Sequence, residues 1–147
     1  MSREIKFRGK LKEDNDWEFG DLREKNGKLY IFPKGELTFK HFVYEVFPDT
    51  VGQYIGLKDK NGADIYEGDV LRTEGLMHIG GRLVQSIDIS EVVWSEDGCG
   101  FSIVEQKAFI KGKEKQQMGN FYMMPDSEEC EVIGNIYDNP ELIGGGI

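Results

Sequence analysis

Short segments in which apolar and polar residues alternate fill the first third of the chain. Ile5 and Phe7 alternate with charged residues in EIKFRG, and two aromatic residues do the same in DWEFGDL. Alternation with a period of two is typical of strands that bury one face. The Asn-Gly pair at 26–27 marks a tight hairpin turn before the apolar run LYIFP. The pattern therefore predicts a three-stranded β-meander, or arm, within residues 1–49.

The segment 36–47 combines two patterns that predict different structures. Its apolar residues recur at helical spacing, as Phe39, Val43 and Val46 do. Most of its residues are aromatic or β-branched, however, and such residues favour an extended backbone. We favour a strand because the surrounding segments are strand-like, and a helix stays the alternative.

Closely spaced candidate strands separated by glycine-rich turns occupy residues 50–147. They include TVGQYIGL, DIYEGDVLR, GGRLVQSIDISEVVWS, FSIVE and CEVIGNIYDN. The longest has alternating apolar positions at Ile87 and Ile89 and then at Val92 and Trp94. This spacing predicts a small β-barrel. The final NPELI predicts a short helical turn, because asparagine is a favoured cap and proline a favoured first helical residue.

Two segments interrupt this spacing and are predicted to be long loops, near residues 73–82 and 105–129. The second combines lysines with aromatic residues and methionines. Its candidate interaction residues are Lys107, Phe109, Lys111, Lys113, Lys115, Phe121, Tyr122, Met123 and Met124. Bases interleaved with aromatic residues can bind single-stranded nucleic acid, and flexible methionines can form an adaptable protein-binding surface. The ordinary alternative, which we favour, is a long hairpin whose lysines are solvated.

The charge of the 147-residue chain is concentrated in its second part. The formal net charge is −9, yet residues 1–49 carry equal numbers of acidic and basic residues. An acidic surface repels nucleic-acid phosphates, so nonspecific DNA binding is not expected. No apolar run reaches the length of a membrane span, and the N-terminus lacks the apolar core of a signal peptide. We therefore expect a cytoplasmic protein with no membrane partner.

Residue types that carry much of enzyme chemistry are scarce. The cysteines, Cys99 and Cys130, form no CxxC pair, and neither His41 nor His78 has a potential metal ligand at suitable spacing. Serine-nucleophile motifs and phosphate-binding glycine loops are missing from the sequence. The sequence therefore predicts no catalytic residue, no metal and no cofactor. An enzyme of unknown chemistry is the weakest alternative, and it requires a concave pocket lined by convergent polar groups.

The stretch GLKDKNGADIYEGDVL, residues 56–71, has the oxygen donors of a calcium loop at first sight. These donors are Asp59, Asn61, Asp64, Glu67 and Asp69. An EF-hand loop needs glycine at its sixth position and a bidentate glutamate at its twelfth. Counted from Asp59, those positions hold Asp64 and Val70, and no helical pattern flanks the stretch. A hairpin is the better interpretation, with a tight turn at the Asn-Gly pair and a bend at the Gly-Asp pair.

Four segments, REIKFRGK, TVGQYIGLKDKNGADIYEGDV, EVVW and EVIGNIYDNPELI, together give the chain a distinctive pattern. Its structural signature residues are Gly56, Asp59, Asn61, Gly62, Tyr66, Gly68, Asp69, Trp94, Gly134, Asn135, Tyr137 and Pro140. In these segments the chain resembles the YopX family, small proteins encoded by phages and prophages of bacteria. The resemblance implies a β-rich fold whose C-terminal part is similar to an SH3-like barrel, in the cytoplasm of an infected or prophage-bearing cell. It also implies a homo-oligomer and no assigned activity.

These features predict a non-enzymatic, oligomeric interaction module that binds a host or phage protein. The alternative is a role related to nucleic acid, either by binding through Lys107 to Lys115 or by mimicking DNA with the acidic surface. Residues 1–49 are expected to pair with another copy or to pack on their own barrel as an arm.

Overall fold

The regular structure of the protein consists of β-strands and short 3-10 turns. The computed structural model describes residues 3–34, 43–110, 112–115, 121–126 and 128–144. Its strands are β1 (Phe7–Lys10), β2 (Trp17–Lys25), β3 (Lys28–Pro33), β4 (Tyr44–Glu45), β5 (Gly52–Lys58), β6 (Asp64–Tyr66), β7 (Asp69–Ile79), β8 (Arg82–Ser95), β9 (Gly100–Ile110), β10 (Lys113–Lys115), β11 (Phe121–Met123) and β12 (Cys130–Asn135). The 3-10 turns are Pro48–Thr50 and Pro140–Ile143. Within these ranges there is no α-helix, so the predicted all-β fold with a short C-terminal helical turn is confirmed.

No helix in the same ranges has the length and apolar character that a membrane span requires.

The chain divides into two compact units, Met1–Gly56 and Leu57–Ile147. The division falls inside β5, later in the chain than the predicted boundary after residue 49.

The first unit is built on an antiparallel sheet in the order β4-β3-β2-β1-β5. In the hairpin between β2 and β3, Asn26 and Gly27 have φ angles of 54° and 73°. A left-handed backbone at both positions is what a type I′ turn requires, and it explains the Asn-Gly pair. The buried residues Leu11, Ile31 and Val46 form the core of this unit. The predicted three-stranded meander corresponds to β1, β2 and β3.

Part of the ambiguous segment 36–47 lies outside the described residues, namely 36–42. Of the remainder, Tyr44–Glu45 form β4 and pair with β3. Val46 then forms an isolated bridge with Leu11. The described part of the segment is therefore extended, and the choice of strand over helix for 36–42 stays a prediction.

The second unit contains an antiparallel sheet in the order β10-β9-β8-β7-β12, with β11 pairing with β9 as well. Residues 73–82, for which the sequence predicts a loop, instead form the end of β7, a two-residue turn and the start of β8. The predicted loop 105–129 begins with the last residues of β9 and includes β10 and β11. The SH3-like barrel is not confirmed, because neither sheet closes on itself in the described part of the chain.

Candidate functional site

The β7–β8 hairpin extends beyond the rest of its sheet as a two-stranded segment, residues 75–85, which we call the hairpin arm. In the described part of the chain, β12 pairs with β7 only as far as Thr73, and β9 pairs with β8 only from Ser86 onward. Gly80 and Gly81 form the turn, with φ angles of 56° and 76°. Isolated two-stranded hairpins are marginally stable in water, so packing against a further surface would stabilise the arm.

Apolar side chains of the hairpin arm lie in solvent. Leu76 is 69% exposed and Leu83 is 59% exposed, and Met77 and Ile79 are exposed as well. Leu76 and Leu83 lie on one face of the hairpin, and Met77 and Ile79 lie on the other. Single exposed apolar residues are normal, whereas neighbouring exposed apolar residues mark an interaction surface. The hairpin arm is therefore a candidate interaction surface.

One face of the same sheet carries a group of polar side chains. Thr73 of β7 lies opposite Asp88 of β8, and Ser90 of β8 lies opposite Glu105 of β9. Residues two apart on a strand point to the same face, so the two pairs lie side by side. They line a cleft of about 260 Å³, which we call the polar cleft. Its apolar walls include Met77, Ile103, Ala108, Ile110 and Tyr122.

A β-bulge directs Glu105 into the polar cleft. Ile89 lies opposite Lys107, but the next residue, Ser90, lies opposite Glu105, so Gln106 is an extra residue in β9. Gln106 Nε2 donates a hydrogen bond to Glu91 Oε2 at 3.4 Å. Because Glu91 follows Ser90 directly, its side chain is on the other face of the sheet. The bulge thus turns Gln106 away from the cleft.

Three polar atoms of the cleft are buried and have no partner among the described residues. Ser90 is 1% exposed and Glu105 is 5% exposed. Among the described residues, Ser90 Oγ, Thr73 Oγ1 and Glu105 Oε1 have no hydrogen-bond partner. A buried polar atom without a partner costs about 1–3 kcal/mol. Unpartnered polar groups that destabilise the folded state and line a concave surface are typical of functional sites.

Burial raises the pKa of both carboxyl groups in the polar cleft. For Asp88 burial is the cause, and for Glu105 the negative charge of Asp88 adds to the effect of burial. The charged form of each group is therefore less favourable in the folded protein than in the unfolded chain.

Replacing Glu105 by glutamine is expected to stabilise the protein at neutral pH. An acid whose pKa is raised by folding makes the folded state less stable as the pH rises through the interval between its unfolded and folded pKa. We expect Glu105→Gln to increase the free energy of unfolding in urea by about 1 kcal/mol at about pH 7. The increase should vanish at about pH 3, where the carboxyl is protonated in both states.

The control for this experiment is Glu96→Gln, in the exposed turn between β8 and β9. Substitution at an exposed position should change the free energy of unfolding by less than about 0.5 kcal/mol at either pH. A loss of stability for Glu105→Gln at neutral pH would contradict the description of the cleft as strained by an uncompensated charge.

Asp59, the first donor of the apparent calcium loop, bonds to backbone instead. Its Oδ1 accepts hydrogen bonds from the N–H groups of Asn61 and Ala63 at 2.8 and 2.9 Å, and its Oδ2 accepts one from Val132 N–H at 2.9 Å. Burial alone would raise the pKa of Asp59, but the three N–H donors outweigh burial and lower it. The carboxylate therefore ties the β5–β6 turn to β12.

The Gly-Asp pair makes a second backbone junction. Gly68 has a φ of 86°, its N–H donates to Val92 O, and its carbonyl oxygen accepts from Ile136 N–H. Asp69 is buried, and its Oδ2 accepts a hydrogen bond from Tyr66 N–H at 2.7 Å. Both residues thus hold strand ends together.

The remaining signature residues occupy turns and the sheet surface. Asn135 Oδ1 accepts hydrogen bonds from the N–H groups of Tyr137 and Asp138. Trp94 is about half exposed and meets Phe101 edge to face at a centroid distance of 5.1 Å. Gly56 and Gly62 have positive φ, Gly134 lies at the bulge of β12, and Pro140 begins the second 3-10 turn.

The residues predicted as an interaction loop are distributed over three strands. Lys107 and Phe109 lie in β9, Lys113 and Lys115 in β10, Phe121, Tyr122 and Met123 in β11, and Met124 follows β11, while Lys111 lies outside the described residues. Lys107 Nζ donates a hydrogen bond to Glu141 O at 3.1 Å. Tyr122 belongs to the wall of the polar cleft.

Asp88, Ser90 and Glu105 were not among the predicted site residues. In GGRLVQSIDISEVVWS the alternating apolar residues are first the odd-numbered Ile87 and Ile89 and then the even-numbered Val92 and Trp94. Strand β8 runs unbroken through both parts, so Asp88 and Ser90 share a face with Val92. This change of phase within one strand is the sequence signal that could have placed Asp88 and Ser90 on the same face as Val92.

The described residues contain no group of three or more His, Cys, Asp or Glu that could hold a metal ion. Cys130 is buried, and burial together with the charge of Asp59 raises the pKa of its thiol. The polar cleft is concave and contains convergent polar groups. It therefore meets the geometric requirement that the sequence analysis sets for the alternative of an enzyme of unknown chemistry.

The family model for "YopX protein" matches residues 6–144 of the chain. No curated protein sequence matches it. Among solved structures, the chain is similar to the crystal structure of protein EF1440 from Enterococcus faecalis, with 22% sequence identity and a TM-score of 0.50. The similarity covers 97% of this chain and 99% of that one. At this identity the likeness concerns the fold alone.

Proposed function

Since this chain belongs to the YopX family, we propose that it acts as a non-enzymatic interaction module of a phage or prophage in the bacterial cytoplasm. It assembles with further copies of itself through the hairpin arm, and the assembled form engages a host or phage protein. The observation that carries this proposal is the group of exposed apolar side chains on the arm, residues 75–85.

The arm fits a second copy for two reasons. In the described part of the chain, both of its strands have a free outer edge, and free edges pair readily with another strand. The arm also carries little charge, with His78 and Arg82 as its ionisable residues, although the whole chain has a net charge of −9. Two arms can therefore meet without the repulsion that the acidic parts of the chain would cause, and a twofold arrangement satisfies both copies equally.

Replacing Leu76 or Leu83 by lysine is expected to dissociate the oligomer. Full burial of one leucine contributes about 1.5–3 kcal/mol, so each substitution should weaken self-association by about tenfold or more. Native mass spectrometry and light scattering across the micromolar range would measure the change in the fraction of monomer.

The matched control is Leu57→Lys, which replaces a leucine that is 40% exposed outside the arm. The control should keep the association constant of the natural sequence. A natural sequence that is monomeric throughout the range, or equal dissociation of the control, would contradict assembly through the arm.

A further inference from the structure

The polar cleft holds two acidic groups that have no counter-ion among the described residues. Neither Asp88 nor Glu105 forms an ion pair in the described part of the chain. The two carboxyl groups are close enough for the charge of Asp88 to disfavour ionisation of Glu105. Both groups would be stabilised by a positive charge between them.

The same cleft offers hydrogen-bond acceptors that none of the described residues uses. Ser90 Oγ and Glu105 Oε1 belong to side chains that are more than nine-tenths buried, and both line the cleft without a partner among the described residues. Thr73 Oγ1 adds a third unpartnered oxygen. A ligand with several N–H donors would satisfy these oxygens and the carboxylates together.

The size and walls of the cleft restrict the ligand further. Pockets for drug-sized ligands are about 300–1,000 Å³, and this cleft, at about 260 Å³, is smaller. Ile103, Ala108 and Ile110 provide apolar walls beside the polar groups. Such walls suit an aliphatic stem that carries a charged end, because the stem packs while the charge is paired.

We propose that the polar cleft binds an alkylammonium or alkylguanidinium group, inserted between Asp88 and Glu105 with its N–H donors on Ser90 and Thr73. The group is carried either by a free amine or by a lysine or arginine side chain of a peptide, which have the same chemistry. Met77 belongs both to the wall of the cleft and to the hairpin arm, but the polar groups of the site lie outside residues 75–85, so the proposed binding does not require self-association.

Titration of the full chain with butylguanidinium chloride at constant ionic strength, followed by nitrogen-proton NMR, tests the proposal. Saturable shifts should centre on the amides of Asp88, Ser90 and Glu105. Asp88→Asn and Glu105→Gln should each weaken binding by about tenfold, because each removes one charge-assisted contact.

Two matched controls separate the cleft from general acidity. Glu91→Gln removes a half-buried carboxylate from the same strand but from the opposite face, and it should leave the dissociation constant unchanged. Butylurea has a similar shape without the charge and should not saturate. Equal binding of butylurea, unaltered binding in Asp88→Asn, saturation by Mg²⁺ or Ca²⁺ but not by butylguanidinium, or no saturable binding would each overturn the proposal.

A second titration distinguishes the two sources of the cationic group. A capped glycine-arginine-glycine tripeptide is compared with the same peptide containing citrulline, which lacks the charge. Binding of the arginine peptide as tight as that of butylguanidinium assigns the cleft to peptide side chains. If butylguanidinium binds and the arginine peptide does not, the cleft is assigned to free small cations. Both results support a cation-binding site in the polar cleft.

Discussion

Replacing Asp59 by alanine is expected to lower the free energy of unfolding by about 3 kcal/mol. The substitution removes one carboxylate that accepts three backbone hydrogen bonds, and bonds to a charged group are worth about 1.5–3 kcal/mol each. Asn61 and Ala63 are exposed, so water can replace the carboxylate at their N–H groups, whereas Val132 is half-buried in β12. The loss should therefore be less than the sum of three bonds. Urea-induced unfolding would measure it.

The same residue gives the stability a definite pH dependence. Because folding lowers the pKa of Asp59 below its ordinary value of 3.8, its contribution is present above that value and is lost as the pH falls through the folded pKa. Asp59→Ala should lack this acid-side loss.

Asp64→Ala is the matched control for Asp59→Ala, since Asp64 lies in the same hairpin and pairs with Lys58 near the surface. An exposed ion pair contributes at most about 1 kcal/mol, so this variant should be nearly as stable as the natural sequence. If the two substitutions lowered the free energy of unfolding equally, the hydrogen bonds from backbone N–H groups to Asp59 would contribute no more than the surface ion pair of Asp64.

Replacing Gly20 by alanine is expected to disrupt the β2–β3 pair and to lower the free energy of unfolding by about 3 kcal/mol. A Cβ atom at this position would overlap the carbonyl oxygen of Phe32 and would lie 3.0 Å from Pro33 Cα. Overpacking costs about 1–3 kcal/mol when side chains can adjust. Here the obstacle is the backbone of the paired strand, so the cost should reach the upper end of that range.

Gly100→Ala is the control for the glycine substitution. Gly100 also lies in a strand, but its added Cβ would meet nothing nearer than 3.8 Å, so the expected change is within about 0.5 kcal/mol. Circular dichroism at increasing temperature would compare the two variants. A Gly20→Ala protein as stable as the control would mean that β2 and β3 separate easily at this point.

The parts of the fold that were predictable are those that local sequence determines. The Asn-Gly pair at 26–27 requires a left-handed backbone, and that requirement alone places the β2–β3 turn. Likewise Pro140 begins the predicted helical turn because its φ is preset for a helix, although the side chain of Asn139 makes no cap hydrogen bond. Closure of a barrel depends on strand lengths and tilts across the whole sheet, and no local pattern specifies those.

The polar cleft was not predictable from alternation alone because its members come from three strands. Strand pairing makes neighbours of Thr73, Asp88 and Glu105. The sequence of a single segment does not determine the register in which it pairs with another strand. For a related reason, the sequence pattern predicts a loop where the hairpin arm lies. Its glycines at 75, 80 and 81 favoured a loop, although only the last two form the turn.

The bulge at Gln106 bears on how members of the family should be compared. If β9 were regular here instead of bulged, its alternation would place the neutral amide of Gln106 in the cleft and the carboxylate of Glu105 outside it. The charge of the cleft is therefore set by backbone register as well as by residue type. A homologue with glutamate at the position of Gln106 and a regular strand would present an equivalent cleft, although a column-by-column alignment would score the acid as lost.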